Sequence, residues 1–336
     1  METWDMLRNV WFLLIGVLLA GYSVLDGFDL GIGVLFPFLA KSEDDKKTLI
    51  GAIGPVWDGN EVWLLTGGGA LFAAFPPAYA TVFSGFYLAL MLVLFALILR
   101  AVSLEFRAHD PKRKGLWEAA FVGGSLFPAL LFGVALGNVI VGVPLDVRTE
   151  YAGNFFTLLR PLPLVFGVLG LSAILLHGSA YAALKTEGAL QARARKAGKI
   201  LVAATAVAFL LSFVSVWMNM PGAVKRIPAW AFAVIVWISL GSLMRSGKKA
   251  NDKRTFLFSS LTFLGLWGVA GAIHYPNLVR ATEPALSLTI TNASSSALTL
   301  KVMLIIALVG MPLVVGYTVF AYRVFKGKVR PDDAGY

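Results

Sequence analysis

The chain has 336 residues, 58% of them hydrophobic and 14% charged, with a formal charge of +10, three histidines and no cysteine. That apolar share excludes an ordinary soluble domain. The missing cysteine excludes disulfides, thiolate-bound iron–sulfur clusters and covalently attached c-type haem.

Apolar runs recur at roughly 10–40, 49–74, 81–99, 119–143, 162–184, 200–218, 228–244, 256–275 and 303–322. Each is long enough, or nearly so, to cross about 30 Å of hydrocarbon as a helix. Backbone in lipid must bond internally, and unbroken runs do so as helices rather than as the alternating strands of a barrel. The prediction is an all-α polytopic membrane protein, one membrane domain over 1–336, with nine transmembrane helices. Eight of them divide into two four-helix bundles, 1–150 and 151–290, and 291–336 supplies a peripheral ninth helix and a tail. The opening segment lacks a small-residue cleavage site and runs into two acids, so it reads as a retained span.

The basic residues lie in short loops between apolar runs instead of forming one stripe, which argues against nucleic acid as a partner. With nine spans, 22 of the 29 Lys and Arg fall on one side. The positive-inside rule then puts the N-terminus outside and the C-terminus in the cytoplasm. Outer connections carry helix breakers, as at Phe75-Pro76-Pro77 and Pro221-Gly222. Residues 277–296 are polar and read as an outer surface loop.

Acids stand inside these runs. Span 1 holds Asp26 and Asp29 on one helix face, span 2 holds Asp58 and Glu61 one turn apart, and span 3 brings Arg100 to its inner end, followed by Glu105. A charged Asp costs about 2.5–3.5 kcal/mol at a bilayer centre, so such a group marks ion or proton handling. One guanidinium among several carboxyls lets some ionise while others stay protonated. Ser84 and Thr66 are bridging hydroxyls for such a relay. Two other readings fit the same residues: Asp26 and Asp29 capping a helix break at Gly27 while Arg100 snorkels to the headgroups, or a stand-alone proton-coupled secondary transporter.

Of the histidines, His109 is in a charged loop, His177 is within span 5 and His274 is at the outer end of span 8. Helix rise separates the last two by more than about 15 Å along the axis, too far for a bis-histidine haem. No phosphate loop, dinucleotide fingerprint or nucleophile elbow is present, so no catalytic residue or metal ligand is assigned to this chain.

The segments GYSVLDGFDLGIG (21–33), WDGNEVWLLTGGGALFAAFPPAYA (57–80), FSGFYLALMLVL (83–94) and NASSSALTLKVM (292–303) closely resemble subunit II of the cytochrome bd-type quinol oxidases, including the cyanide-insensitive branch. The resemblance implies a subunit of a quinol:oxygen oxidoreductase in the bacterial cytoplasmic membrane. Its partner is a haem-bearing subunit I that carries two b-type haems and one d-type haem, and room remains for a small accessory subunit. Quinol and dioxygen are substrates of the complex, and this subunit binds no haem of its own. The family's proposed cytoplasmic proton path matches Asp29, Asp58 and Glu105, with Arg100 and Ser84 along it; Asp26 and Glu61 are added to the path from their own positions inside the apolar runs. Trp57, Asp58 and Asn60 fall in the motif nearest the haem-bearing partner. Some members have Asp where this chain has Glu105.

Overall fold

Helix starts follow the local chemistry. In the computed structural model, which describes residues 2–330, prolines placed among the outer breakers open helices, because a first-turn N–H needs no intrahelical partner. The helices are α1 (Glu2–Leu25), α2 (Gly27–Leu39), α3 (Glu43–Ile53), α4 (Trp57–Ala74), α5 (Pro76–Gly85), α6 (Tyr87–His109), α7 (Lys114–Val141), α8 (Pro161–Lys185), α9 (Gly188–Asn219), α10 (Pro221–Val224), α11 (Ile227–Lys248), α12 (Asp252–His274) and α13 (Ala297–Val324). Ser42 and Asp45 form a reciprocal capping box that starts α3.

The protein is a helical polytopic membrane protein. Among the described residues, eight helical segments are long and apolar enough to cross a membrane, rather than nine. The expected second span falls short because it is broken at residues 54–56 into α3 and α4, and α4 opens on Trp57-Asp58-Gly59-Asn60-Glu61. The first span is broken too, by a single-residue turn at Asp26 between α1 and α2.

Helices α8, α9, α11 and α12 pack around one another, α7 lies between α6 and α8, and α2 is wedged against α7 and α8. Helix α13 touches only α1 and α4 among the larger contacts and lies at the edge. Close approach is set by small residues, as lipid-embedded helices require. A Cβ on Gly31 would lie 2.2 Å from the Ile174 carbonyl oxygen and 2.8 Å from the Gly178 Cα, so α2 and α8 meet backbone to backbone. A Cβ on Gly124 would lie 2.6 Å from Ala96 O, which fixes α7 against α6 beside Arg100.

The expected surface loop is instead a folded cap. Strands β1 (Asn277–Val279) and β2 (Leu288–Thr289) pair antiparallel, and Val279, Ala281, Leu288, Ile290 and Ala293 are buried in one cluster with Leu7, Trp11 and Phe75. The cap is bonded to the start of the chain through Arg8 Nε to Ser294 Oγ at 2.9 Å, and to the end of α4 through Ser295 N to Ala74 O at 2.9 Å. Its periodicity was too short to register as strand, and its apolar residues are spaced among Thr and Ser.

The opposite end carries most of the basic loops. There the tail folds back on α8: Val329 N donates to Lys185 O at 2.8 Å, and Lys328 Nζ donates to Thr186 O at 2.8 Å.

Candidate proton-handling site

The two helix breaks build the site. A helix end leaves carbonyls without intrahelical partners, and in an apolar interior each must find a donor. At the first break, the Val24 carbonyl meets His177 Nε2 at 2.8 Å, and the Leu25 carbonyl accepts from Asn60 Nδ2 at 3.0 Å. At the second, Ala52 O accepts from the Tyr181 hydroxyl at 3.2 Å. His177 and Tyr181 are one turn apart on α8, so one helix face closes both breaks.

The turn at Asp26 aims that side chain at α6. Arg100 donates to Asp26 Oδ1 at 2.9 Å through Nη2, and its Nη1 reaches Glu61 Oε1 at 3.1 Å. Arg100 and Asp26 are fully buried, while Glu61 keeps 21% of its side-chain exposure. Asp29, also fully buried, takes a different donor: Asn60 Nδ2 lies 2.7 Å from its Oδ2. The Asn60 amide oxygen in turn accepts from the Tyr322 hydroxyl of α13 at 2.9 Å. Asn60 thus joins α2, α4 and α13 and uses every bonding direction but one.

Three buried polar atoms of this cluster have no partner among the described residues: Tyr22 Oη, Asp29 Oδ1 and Arg100 Nε. Unsatisfied polar atoms are few in native interiors, and three of the five among the described residues lie in this one group. The carboxyls of Asp26 and Glu61 share one guanidinium, and that of Asp29 stands beside them on the Asn60 amide.

The remaining predicted residues lie around this centre. Asp58 is exposed on α4 in a stripe with Val62, Leu65, Gly69 and Phe72, and has no hydrogen-bond partner among the described residues. Asn60, expected with Trp57 and Asp58 in the motif nearest the haem-bearing partner, is buried within this chain. Trp57 is half-buried against the apolar cluster that holds Phe28 and Leu49. Glu105 is exposed near the basic end of α6. Ser84 is apart from the rest. It sits on α5, donates to Ala80 O at 2.7 Å, and is roughly 20 Å from Arg100 by helix rise along α6. Thr66 likewise bonds to its own helix, at Val62 O.

Beyond the cluster, at the basic end, Glu43 is held by Arg107 at 3.0 Å and Lys46 at 3.2 Å, and Lys46 and Arg107 also bind Glu118. Partial burial raises the Glu43 carboxyl, but hydrogen bonds from Lys46 and Arg107 outweigh it and bring the pKa down from 4.5 to about 2.

The two histidines within the helical spans bond to the chain itself. Both His177 nitrogens are engaged, Nδ1 with Ser259 Oγ at 2.7 Å and Nε2 with the Val24 carbonyl, and its ring stacks on Phe256. His274 Nε2 meets Leu278 O at 3.1 Å. Among the described residues no group of three or more His, Cys, Asp or Glu is arranged to hold a metal ion.

The sequence model of the family described as cytochrome bd terminal oxidase subunit II matches residues 7–325. This chain belongs to that family. It is 36% identical to cytochrome bd-I ubiquinol oxidase subunit 2 of Escherichia coli strain K12, over 99% of this chain and 98% of the relative. It is also 36% identical to cytochrome bd ubiquinol oxidase subunit 2 of Bacillus subtilis strain 168, over 96% and 97% of the two chains. Among solved structures, a chain of the bd oxidase from Geobacillus thermodenitrificans superposes with a TM-score of 0.80 at 16% identity, covering 95% of this chain and 98% of that one, which supports the fold. As subunit II of a terminal oxidase, the chain is part of an oxidoreductase complex rather than a complete enzyme.

Sequence reasoning did not single out Tyr22, Tyr322 or the capping role of His177. A polar residue at each end of a long gap in sequence gives no local sign that the two meet.

Proposed function

We propose that this chain is the haem-free partner subunit of a bd-type quinol oxidase and that it delivers cytoplasmic protons toward an oxygen-reducing centre held by subunit I. The two b-type haems, the d-type haem and the quinol-oxidising site belong to that subunit or to the interface, and a small accessory subunit completes the complex in some members. The engaged nitrogens of His177 support the haem-free reading.

The observation that carries the proposal is the buried Arg100 bridging Asp26 and Glu61, with Asp29 beside them. Burying several carboxyls in a membrane interior is costly, and a purely structural subunit has no need of it. Counting α3 and α4 together as the second crossing gives nine spans in two four-helix groups and an edge helix, and places the basic end in the cytoplasm. In the bacterial inner membrane, Glu105 then stands at the cytoplasmic side and Asp58 on the outward stripe of α4. A lone carboxylate among Val62, Leu65 and Phe72 is unfit to face lipid tails, so subunit I covers that stripe. The path runs through Glu105, Glu61, Asp26, Asp29 and Asp58, with Arg100 balancing their charge, and omits Ser84.

Asp29→Asn and Asp58→Asn in the intact complex test this. Haem content read from the reduced-minus-oxidised spectrum should be unchanged, while oxygen consumption should drop at least about tenfold. Normal turnover in both variants with full haem overturns the proton role. The stand-alone transporter is disfavoured, because likeness to oxidase second subunits covers nearly the whole chain.

A further inference from the structure

We infer that Tyr322, on the edge helix α13, is a positioning residue for Asp29. This rests on the proton role proposed above and names a residue outside the predicted path.

Asp29 has two carboxyl oxygens in different surroundings. Oδ2 accepts from Asn60 Nδ2 at 2.7 Å, while Oδ1 is buried and without a partner among the described residues. Which oxygen is free depends on the carboxamide of Asn60. That carboxamide is fixed on three sides: by Asp29, by the Leu25 carbonyl at the helix break, and by the Tyr322 hydroxyl donating to its oxygen at 2.9 Å. Asp29 and the Leu25 carbonyl, both acceptors, put the amide nitrogen on their side, and the Tyr322 hydroxyl holds the amide oxygen at the other end. With a hydroxyl donor against the amide oxygen, the amide nitrogen must face Asp29. Without that donor the amide oxygen is unheld, and the carboxamide can swing so that its nitrogen moves off Asp29.

Tyr322 is itself held. Its ring meets Phe28 edge-on at 6.5 Å between centroids, next to the Phe28 and Tyr181 stack. The chain three residues on is tied to α8, where Lys185 Nζ donates to Phe325 O at 2.5 Å. A helix with few other contacts to the bundle is therefore anchored where the Tyr322 hydroxyl enters the acidic centre.

The test is a double-mutant cycle on the intact oxidase, using Tyr322→Phe, Asp29→Asn and both together, with oxygen consumption, quinol KM and haem spectrum as readouts. If Tyr322 acts through Asp29, Tyr322→Phe lowers kcat by about three- to tenfold, the scale of one neutral hydrogen bond, and leaves quinol KM and haem content unchanged. The double variant then runs no slower than Asp29→Asn alone. A Tyr322→Phe enzyme at the native rate beside a slow Asp29→Asn enzyme overturns this inference and leaves the proton role standing. Losses that multiply in full place the action of Tyr322 elsewhere and also overturn it. A native rate for Asp29→Asn removes the reading beneath both. Should Tyr322→Phe lose its haem, Asn60→Leu, similar in size and without any of the three bonds, replaces it: because Tyr322 reaches Asp29 only through Asn60, a native rate for Asn60→Leu beside a slow Asp29→Asn enzyme overturns the inference, and a slowed rate that adds nothing to Asp29→Asn supports it.

Discussion

Arg100 and Asp26 meet at 2.9 Å with neither side chain exposed, although 74 residues separate them in sequence. The pair joins α6 to the turn that breaks the first span. Taking two charges out of water costs several kcal/mol each, and close hydrogen-bonded geometry offsets this only while both partners remain. Removing one partner leaves the other as an uncompensated buried charge.

Arg100→Met should therefore be far more disruptive than its volume change suggests, at about 3–5 kcal/mol of folding stability. The double variant Arg100→Met with Asp26→Asn should recover part of that loss. Thermal unfolding of the purified complex, followed by haem absorbance, measures both. Equal loss in the single and double variants would contradict the pairing.

His177→Phe should leave the haem spectrum of the complex unchanged, since neither nitrogen is available to iron. It strands the Val24 carbonyl at the helix break, which costs about 1–3 kcal/mol. A lower melting temperature with full haem content is the expected pair of results. Loss of one haem band in otherwise assembled complex would refute it.

Gly178→Ala places a methyl group 2.6 Å from the Gly31 Cα and 2.5 Å from its carbonyl carbon. Neither neighbour is a flexible side chain, so α2 and α8 must separate. The turn at Asp26 is held from α8 through His177, so the acidic centre should lose its geometry as well. We expect poor assembly with subunit I, read as low haem yield per membrane protein. A fully assembled and active variant would show that the two helices tolerate separation.

Glu43 gives a pH signature. Its carboxyl sits at about 2 in the folded protein against an ordinary 4.5, a lowered value, so its contribution is complete above pH 4.5 and is lost as pH falls toward 2. Half of its side chain is exposed, so solvent screening keeps the effect modest. Glu43→Gln should melt below the native complex at pH 6, and the gap should close progressively between pH 4.5 and 2. A gap that stays constant over that range would contradict the assignment.

The acidic residues were legible in sequence because charge inside an apolar run is conspicuous. Asp26, Asp29, Glu61 and Arg100 do come together. Their heights were less legible: Ser84 was placed along the path, yet α5 begins afresh at Pro76 and leaves it near the far end. The breaks that build the site were also hidden, since a one-residue turn at Asp26 or a short kink at 54–56 barely alters an apolar window. Helix periodicity says which residues share a face but not what the face meets, so the exposure of Asp58 and the inward turn of Asn60 needed tertiary structure. The cap over 277–296 owes its order to side chains contributed by the start of the chain, which no local pattern reveals.

The bond between Asn60 and Tyr322 spans 262 residues. Asp26, Asp29, Asn60 and Arg100 leave the ribosome long before their last companion, Tyr322, is made. A nascent chain can therefore thread its early helices into the bilayer while this centre is still unfinished, and a premature stop before α13 would yield an inserted protein that never completes it.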